Sequence, residues 1–289
     1  MTASSEQDLI ARQRADWNLV APGWEKWDHF FDEQLAFVNY RLLGDARIRS
    51  GMKVLDLGSG TGHPALLAAQ AVGSKGWVIG LDLAEYMVEA AQRKAGRLGL
   101  TNVTFQAGDA TVLPFENDSF DALTSRFCVM FVPDLPQALS EMARVLKPGG
   151  WAALAVWAEP DRNPALSIPI EILRMLVPLP PSDPQAPGIF RLAQPGALAK
   201  LMVTSGFAGV EEALLTGEWC YRSPDDYYGS LIDLAAPIRT LLVNLSDSEQ
   251  AEARRLIREA ALAYARADQI VFPFVVRLVS AQKPLRKGQ

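Results

Sequence analysis

The stretch Val54-Leu55-Asp56-Leu57-Gly58-Ser59-Gly60-Thr61-Gly62 joins a short apolar run to a turn with glycine at every second position. An apolar run of that length, followed by a glycine turn and a helical pattern, reads as a buried parallel strand feeding a helix, and so points to an α/β fold. Glycines at 58, 60 and 62 accept positive φ and place no Cβ between the backbone and a ligand. The helix that follows aims free N–H groups at the same point. A dinucleotide fingerprint, G-x-G-x-x-G, needs a third glycine where this chain has His63. What stands instead is G-x-G-x-G preceded by an acid, Asp56.

From residue 52 onward strand, turn and helix patterns alternate. Strands are expected near 52–57, 77–82, 102–107, 119–126 and 151–157, and helices near 63–73, 84–99 and 135–146. Each strand is a short apolar run, as burial on both faces of a parallel sheet requires. Gly149-Gly150, after Arg144-Val145-Leu146-Lys147-Pro148, are expected to stop the last of these helices. The first 50 residues read as helical, with Leu9, Ile10, Gln13 and Trp17 at helical spacing and a break at Pro22-Gly23. Three of the seven tryptophans, Trp17, Trp24 and Trp27, fall in this arm and are expected to staple it to the core, with ligand contact as the other use.

Residues 158–192 hold eight of the nineteen prolines, Pro178, Pro180, Pro181, Pro184 and Pro187 among them, and read as an insertion outside the core. A helix near 194–205 and a strand near 209–216 resume the sheet pattern. A second excursion, 223–267, reads as mostly helical. Its last helix opens on a Ser246/Glu249 capping box and puts Ala253, Leu256, Ile257, Ala260 and Tyr264 on one face. The closing run Ile270–Val279 reads as a strand that Pro273 places at a sheet edge or makes begin late.

Composition narrows the function classes. With 49% hydrophobic and 21% charged residues among 289, the chain can bury a large core. A net charge of −5 argues against a protein that holds duplex nucleic acid by phosphate neutralisation. The start MTASSEQDLI lacks a basic segment before an apolar one, and no apolar run approaches the ~20 residues of a membrane span, so a cytoplasmic protein is expected. Two distant cysteines, Cys128 and Cys220, and two histidines, His29 and His63, offer neither a disulfide framework nor a metal cage.

Four further features follow the glycine turn in order. Asp82 ends the apolar run Trp77–Leu81, twenty residues beyond Gly62, where a carboxylate can accept both hydroxyls of a ribose. Gly108-Asp109-Ala110 follows the run Val103-Thr104-Phe105 and suits the amino edge of an adenine. Leu113–Asp121 leads into Ala122-Leu123-Thr124-Ser125-Arg126, and Arg144–Gly150 comes next. The glycine turn resembles motif I of the class I S-adenosylmethionine (SAM) dependent methyltransferases. The five features together resemble the UbiE-like ubiquinone and menaquinone biosynthesis methyltransferases and their type 11 relatives over roughly residues 50–157.

The resemblance implies a Rossmann-like seven-stranded sheet with helices on both faces and an antiparallel last strand, with SAM lying across the carboxyl ends of the first strands. With the patterns read along the chain, the expected division is a helical arm or lid (1–50), a SAM-binding core (51–157), the proline-rich insertion (158–192) and the rest of the sheet (193–289) with its helical cap (223–267). The resemblance implies a cofactor site made of Asp56, Gly58, Ser59, Gly60, Gly62, Asp82, Leu83, Met87, Gly108, Asp109, Ala110, Arg126 and Phe127. Asp56 and the Gly58–Gly62 backbone face the amino and carboxylate ends of the methionine. The bland readings are a loop cap for Asp56, a helix N-cap for Asp109, a turn role for Asp121 and loop structure for His63.

Displacement on an activated methyl asks mainly for alignment and exclusion of water, so few catalytic side chains are needed. Arg126 and His29 are the candidates, and Trp24, Phe127 and Tyr86 the candidate π faces for a sulfonium. Ser125-Arg126-Phe127-Cys128 is not the D/N-P-P-aromatic tetrad of nucleobase N-methyltransferases, which disfavours DNA bases as acceptors. Apolar cap residues, Ile168, Ile170, Ile172, Leu173, Met175 and Leu176 with Leu231, Ile232, Leu234, Ile238, Leu241 and Leu242, suit a closed pocket for a small aromatic or isoprenoid acceptor. The expected function is C- or O-methylation of a small molecule, with S-adenosylhomocysteine as by-product. A SAM-binding regulatory protein and an NAD-type oxidoreductase are the alternatives.

Overall fold

The computed structural model describes residues 3–178, 183 and 185–286, so that Pro180, Pro181 and Pro184 lie outside the described residues, as do Met1 and Thr2 of the leader reading. Among the described residues, eight strands form one sheet: β1 (Lys53–Leu57), β2 (Trp77–Asp82), β3 (Val103–Ala107), β4 (Phe120–Arg126), β5 (Leu146–Trp157), β6 (Ala208–Tyr221), the two-residue β7 (Ala265–Arg266) and β8 (Gln269–Gln282). Their order is β3-β2-β1-β4-β5-β8-β6, with β7 added to β8. The first five strands run parallel, and β8 is antiparallel to both of its neighbours, β5 and β6. This is the seven-stranded sheet that the resemblance implies, with one two-residue strand added.

Val54, Leu55, Leu57, Ala122 and Leu123 on the central pair β1 and β4 are fully buried, because helices cover both faces. Each of these valine and leucine side chains contributes about 1.5–3 kcal/mol relative to exposure. The core helices α4 (Ala65–Val72), α5 (Glu85–Arg97) and α6 (Leu135–Val145) each follow a strand. α6 stops at Val145, and Leu146 already pairs with Phe120 in the sheet. Gly149, at φ 83, therefore turns the first part of β5 and does not end a helix.

The arm comprises α1 (Ala3–Lys26), α2 (Asp28–Gln34) and α3 (Ala36–Asp45). α1 runs unbroken through Pro22-Gly23, against the expected break. Gly23 is the reason: it presses on the last turn of helix α9 (Pro224–Leu234), where a Cβ would stand 2.0 Å from the Asp233 carbonyl oxygen. Trp27 Nε1 donates to Asp233 Oδ2 at 2.8 Å and Trp24 Nε1 to the Leu234 carbonyl at 3.3 Å, so tertiary contacts hold the helix across its weak point.

The 158–192 segment is not wholly outside the core. It contains α7 (Pro164–Leu176), which packs on β8 and on helix α11 (Asp247–Leu262). The buried Asn163 side chain donates to the Ala158 and Val275 carbonyls and accepts from Val275 N. Helices α8 (Ala197–Thr204) and α10 (Ala236–Val243) are the remaining α-helices among the described residues, and the Ser246/Glu249 capping box opens α11 as the spacing predicts. β8 lies inside the sheet, not at its edge. Pro273 is tolerated because β5 pairs with β8 only from Val276 onward, so at Pro273 only β6 is a neighbour. No helix among the described residues is long and apolar enough to cross a membrane.

Candidate functional site

Strands β1 and β4 lie side by side, yet the chain leaves β1 toward β2 on one hand and reaches β4 from β3 on the other. The crevice outside their carboxyl ends is where open α/β sheets place ligands. A cavity opens there, lined by the glycine turn, the loops after β2, β3 and β4, the end of β5, and the arm.

The glycine turn is tied to β2 from below. Gly58 N and Ser59 N donate to the Leu81 carbonyl, at 2.7 and 3.2 Å. Gly60 N donates to Asp82 Oδ2 at 2.8 Å and Ala84 N to Asp82 Oδ1 at 3.0 Å, so one carboxylate fixes two loops and still has lone pairs toward the cavity. Burial pushes the Asp82 carboxyl above its ordinary value. Gly58, at φ 67, admits no side chain, since a Cβ would stand 2.2 Å from Cys128 Cβ. Gly60, at φ 50, has nothing within 4 Å of where a Cβ would be.

Of the thirteen residues implied for the cofactor, eleven line this cavity: Gly58, Ser59, Gly60, Asp82, Leu83, Met87, Gly108, Asp109, Ala110, Arg126 and Phe127. Asp56 and Gly62 do not. Asp56 is fully buried beneath the turn, with Oδ2 accepting from Ala65 N at the start of α4 and Oδ1 from the Thr124 hydroxyl on β4. Its carboxyl, pushed up to about 7 by that burial, braces strand against helix and does not face a ligand. Gly62 serves packing: a Cβ there would stand 2.6 Å from Leu66 Cδ1.

Asp109 Oδ1 accepts from Thr111 N and from the Thr111 hydroxyl, both at 2.8 Å. Its other oxygen has no protein partner among the described residues. Arg126 gives one N–H to Asn39 Oδ1 at 2.8 Å, and burial lowers it to about 10. Phe127 adopts a left-handed backbone, φ 55, and lies flat on Trp157 with ring centroids 3.9 Å apart.

His29 is at the surface, 85% exposed and 3.5 Å from Glu33, so it takes no part in the site. Tyr86 is exposed and lies away from the cavity, whereas Trp24 and Phe127 line it. None of the twelve apolar cap residues reaches the wall. Most face their own helices and the sheet, and Met175 is 72% exposed.

Sequence reasoning missed most of the arm's share of the wall: Ile10, Gln13, Phe31 and Leu35 join Trp17 and Trp24 there. Gln13 Nε2 donates to the Phe131 carbonyl at 2.7 Å, drawing α1 over the loop after β4. His63 lines the cavity as well. Its Nε2 meets Asp32 Oδ1 at 2.9 Å, while its Nδ1 is buried without a partner, as is Ser59 Oγ. Burial alone would raise the Asp32 carboxyl, but His63 and Lys94 outweigh it and hold it at about 2. Lys94, 8% exposed, also reaches Asp28 at 2.6 Å.

Residues 48–163 match the family model described as a methyltransferase domain. Over 120 residues the chain is 43% identical to a demethylmenaquinone methyltransferase of Staphylococcus aureus (strain MRSA252), covering 42% of this chain and 49% of that protein. Residues 48–163 form a methyltransferase domain, similar to that of the UbiE-like enzymes. The chain spans about half the length of the curated relatives it matches. Among solved structures, the YcgJ protein of Bacillus subtilis superposes with a TM-score of 0.57 at 26% identity, covering 86% of this chain and 99% of that one. A putative methyltransferase from Bacillus halodurans C-125 superposes at 0.58 and 21% identity, covering 85% and 98%, and so shares the fold. The match to the family model ends at residue 163, just before α7, while the sheet continues through β6 and β8.

Proposed function

We propose that the cavity binds SAM and that the protein transfers its methyl group to a small apolar or aromatic acceptor. The observation that carries this is the polar cradle on one side of the crevice: Asp82 after β2, Asp109 after β3 and the glycine turn after β1, all on one wall. The residues present fit the cofactor. Asp82 keeps free lone pairs for two ribose hydroxyls, and Asp109 keeps one oxygen for the adenine amino edge with Ala110 beside it. Leu83 and Met87 supply apolar walls to the adenosine. The unpartnered Ser59 Oγ, the unpartnered His63 Nδ1 and the open space above Gly60 suit the methionine end. Bound SAM supplies a methyl already activated on a sulfonium.

The chain's own part is alignment and exclusion of water. Trp17, Trp24 and Phe31 of the arm close the crevice, and the Phe127–Trp157 stack offers a flat apolar platform beside Arg126. The relatives named demethylmenaquinone methyltransferase favour a quinone-like or isoprenoid acceptor, methylated at carbon or oxygen, and the net charge of −5 speaks against nucleic acid as a partner.

Titration with S-adenosylhomocysteine tests the cofactor: saturable one-to-one binding is expected, and its absence overturns the reading. Incubation with SAM and a panel of quinols, phenols and isoprenoids, read by S-adenosylhomocysteine release, tests the transfer. Binding without release across the panel would leave a SAM-binding protein that transfers nothing.

A further inference from the structure

The wall of the cavity divides at β1. Asp82, Asp109 and the glycine turn stand over β1, β2 and β3, whereas Arg126, Phe127, Cys128, Phe131, Val132, Pro133 and Trp157 stand over β4, β5 and the loop between them. Strands about 4.8 Å apart put roughly 19 Å between the ends of β3 and β5, room for a cofactor on one half and an acceptor on the other.

The second half is apolar apart from Arg126. A guanidinium carries five N–H donors. Here one is given to Asn39 Oδ1, and among the described residues no other protein acceptor meets the group and no carboxylate lies within 4.0 Å of it. Asp56, the carboxylate beneath, has both oxygens committed to Ala65 N and Thr124. Asp56, Asp32 and Asp28 offset part of the burial cost from beyond that distance without taking the Arg126 N–H groups. A buried guanidinium with one hydrogen bond to protein is still costly, and such a group is retained where a ligand takes its remaining donors. The neighbouring ring stack, 3.9 Å between centroids and 6° from parallel, offers a flat face next to that charge.

We propose that Arg126 is a specificity residue for the methyl acceptor, which carries an anionic oxygen, a carboxylate or phenolate, on a flat apolar ring. The inference rests on the proposed SAM site, because it is SAM that fills the other half. The guanidinium would take the anion through its free N–H groups, a geometry that lysine reproduces only as a point charge.

The test uses the full chain saturated with S-adenosylhomocysteine and a matched pair of probes, 2-naphthoate and its neutral amide, titrated by calorimetry. The acid is expected to bind at least tenfold more tightly than the amide. In Arg126→Met the preference disappears while S-adenosylhomocysteine affinity stays within threefold, and in Arg126→Lys part of the preference remains. A wild type that binds the two probes alike, or neither, overturns the proposal, as does a preference that survives in Arg126→Met. Should Arg126→Met fail to fold, the wild-type ratio and Arg126→Lys decide.

A second arm separates the other source of an anion. If Arg126→Met loses S-adenosylhomocysteine affinity tenfold yet keeps that for 5′-methylthioadenosine, which lacks the carboxylate, Arg126 serves the cofactor and the acceptor assignment falls. Failure of the wild type to bind S-adenosylhomocysteine at all would instead sink the proposed function.

Discussion

Asp56 and Asp82 are both acids at or near the ends of buried parallel strands, and only one of them reaches the cavity. Asp82→Ala removes the acceptor for two ribose hydroxyls as well as the bonds from Gly60 N and Ala84 N. With bonds to a charged group contributing about 1.5–3 kcal/mol each, S-adenosylhomocysteine affinity should fall on the order of 100-fold or more. Near-normal affinity in calorimetry would refute the ribose placement. Asp56→Ala should act differently, leaving Ala65 N and the Thr124 hydroxyl unpaired in the interior and costing about 1–3 kcal/mol of stability per orphaned group. Chemical denaturation reads that loss, and an unchanged midpoint would contradict the bracing role.

Sequence spacing places both acids near the turn. It does not reveal that the Asp56 oxygens are already taken by a neighbour on the next helix and by Thr124, 68 positions away. Likewise the Arg144–Gly150 motif reads as a helix stop next to the site, whereas Arg144 binds the Leu113 and Phe115 carbonyls and Glu141, stitching the preceding motif into a loop.

At the scale of elements, the arm closes the cavity through a small ionic joint. Lys94 on α5 pairs with Asp28 and Asp32 on α2, Thr61 of the glycine turn donates to Asp28, and His63 meets Asp32. Lys94→Met would leave two carboxylates facing an apolar stem, and the expected result is faster amide hydrogen exchange over residues 24–35 with the strands unaffected. Equal exchange would show that the tryptophans alone hold the arm.

The same joint predicts a pH dependence. Asp32 is held at about 2, below its ordinary value near 3.9, so its contribution to stability is present above pH 4 and lost as pH falls toward 2. The difference in unfolding free energy between wild type and Asp32→Asn should therefore shrink over that interval, and a constant difference would refute it. The arm's helical pattern is visible in the sequence. Its passage through Pro22-Gly23 is not, because the contact that sustains it lies with Asp233, far along the chain.

On the scale of the whole molecule, the sheet is assembled out of chain order. β8 fills the place between β5 and β6, burying Phe272, Phe274, Val276, Leu278 and Val279 and seating Arg277 between Glu159 and Glu212. A chain ending at residue 267 should show no cooperative thermal transition, whereas removal of residues 284–289 should leave the transition in place. A cooperative transition in the shorter chain would mean that the first five strands fold alone. The alternating pattern before residue 157 makes the parallel half readable, while Pro273 misdirects because the proline rule speaks of hydrogen-bonding neighbours, and β8 lacks one only at that end.

This order has a bearing on synthesis. During translation the fourteen residues of β6 emerge well before the strand that must lie between them and the rest of the sheet. Until β8 arrives, the nascent protein presents the whole length of β6 with no partner on either side. That interval, and not the finished fold, is when pairing with a neighbouring polypeptide on the same ribosome array would compete most effectively.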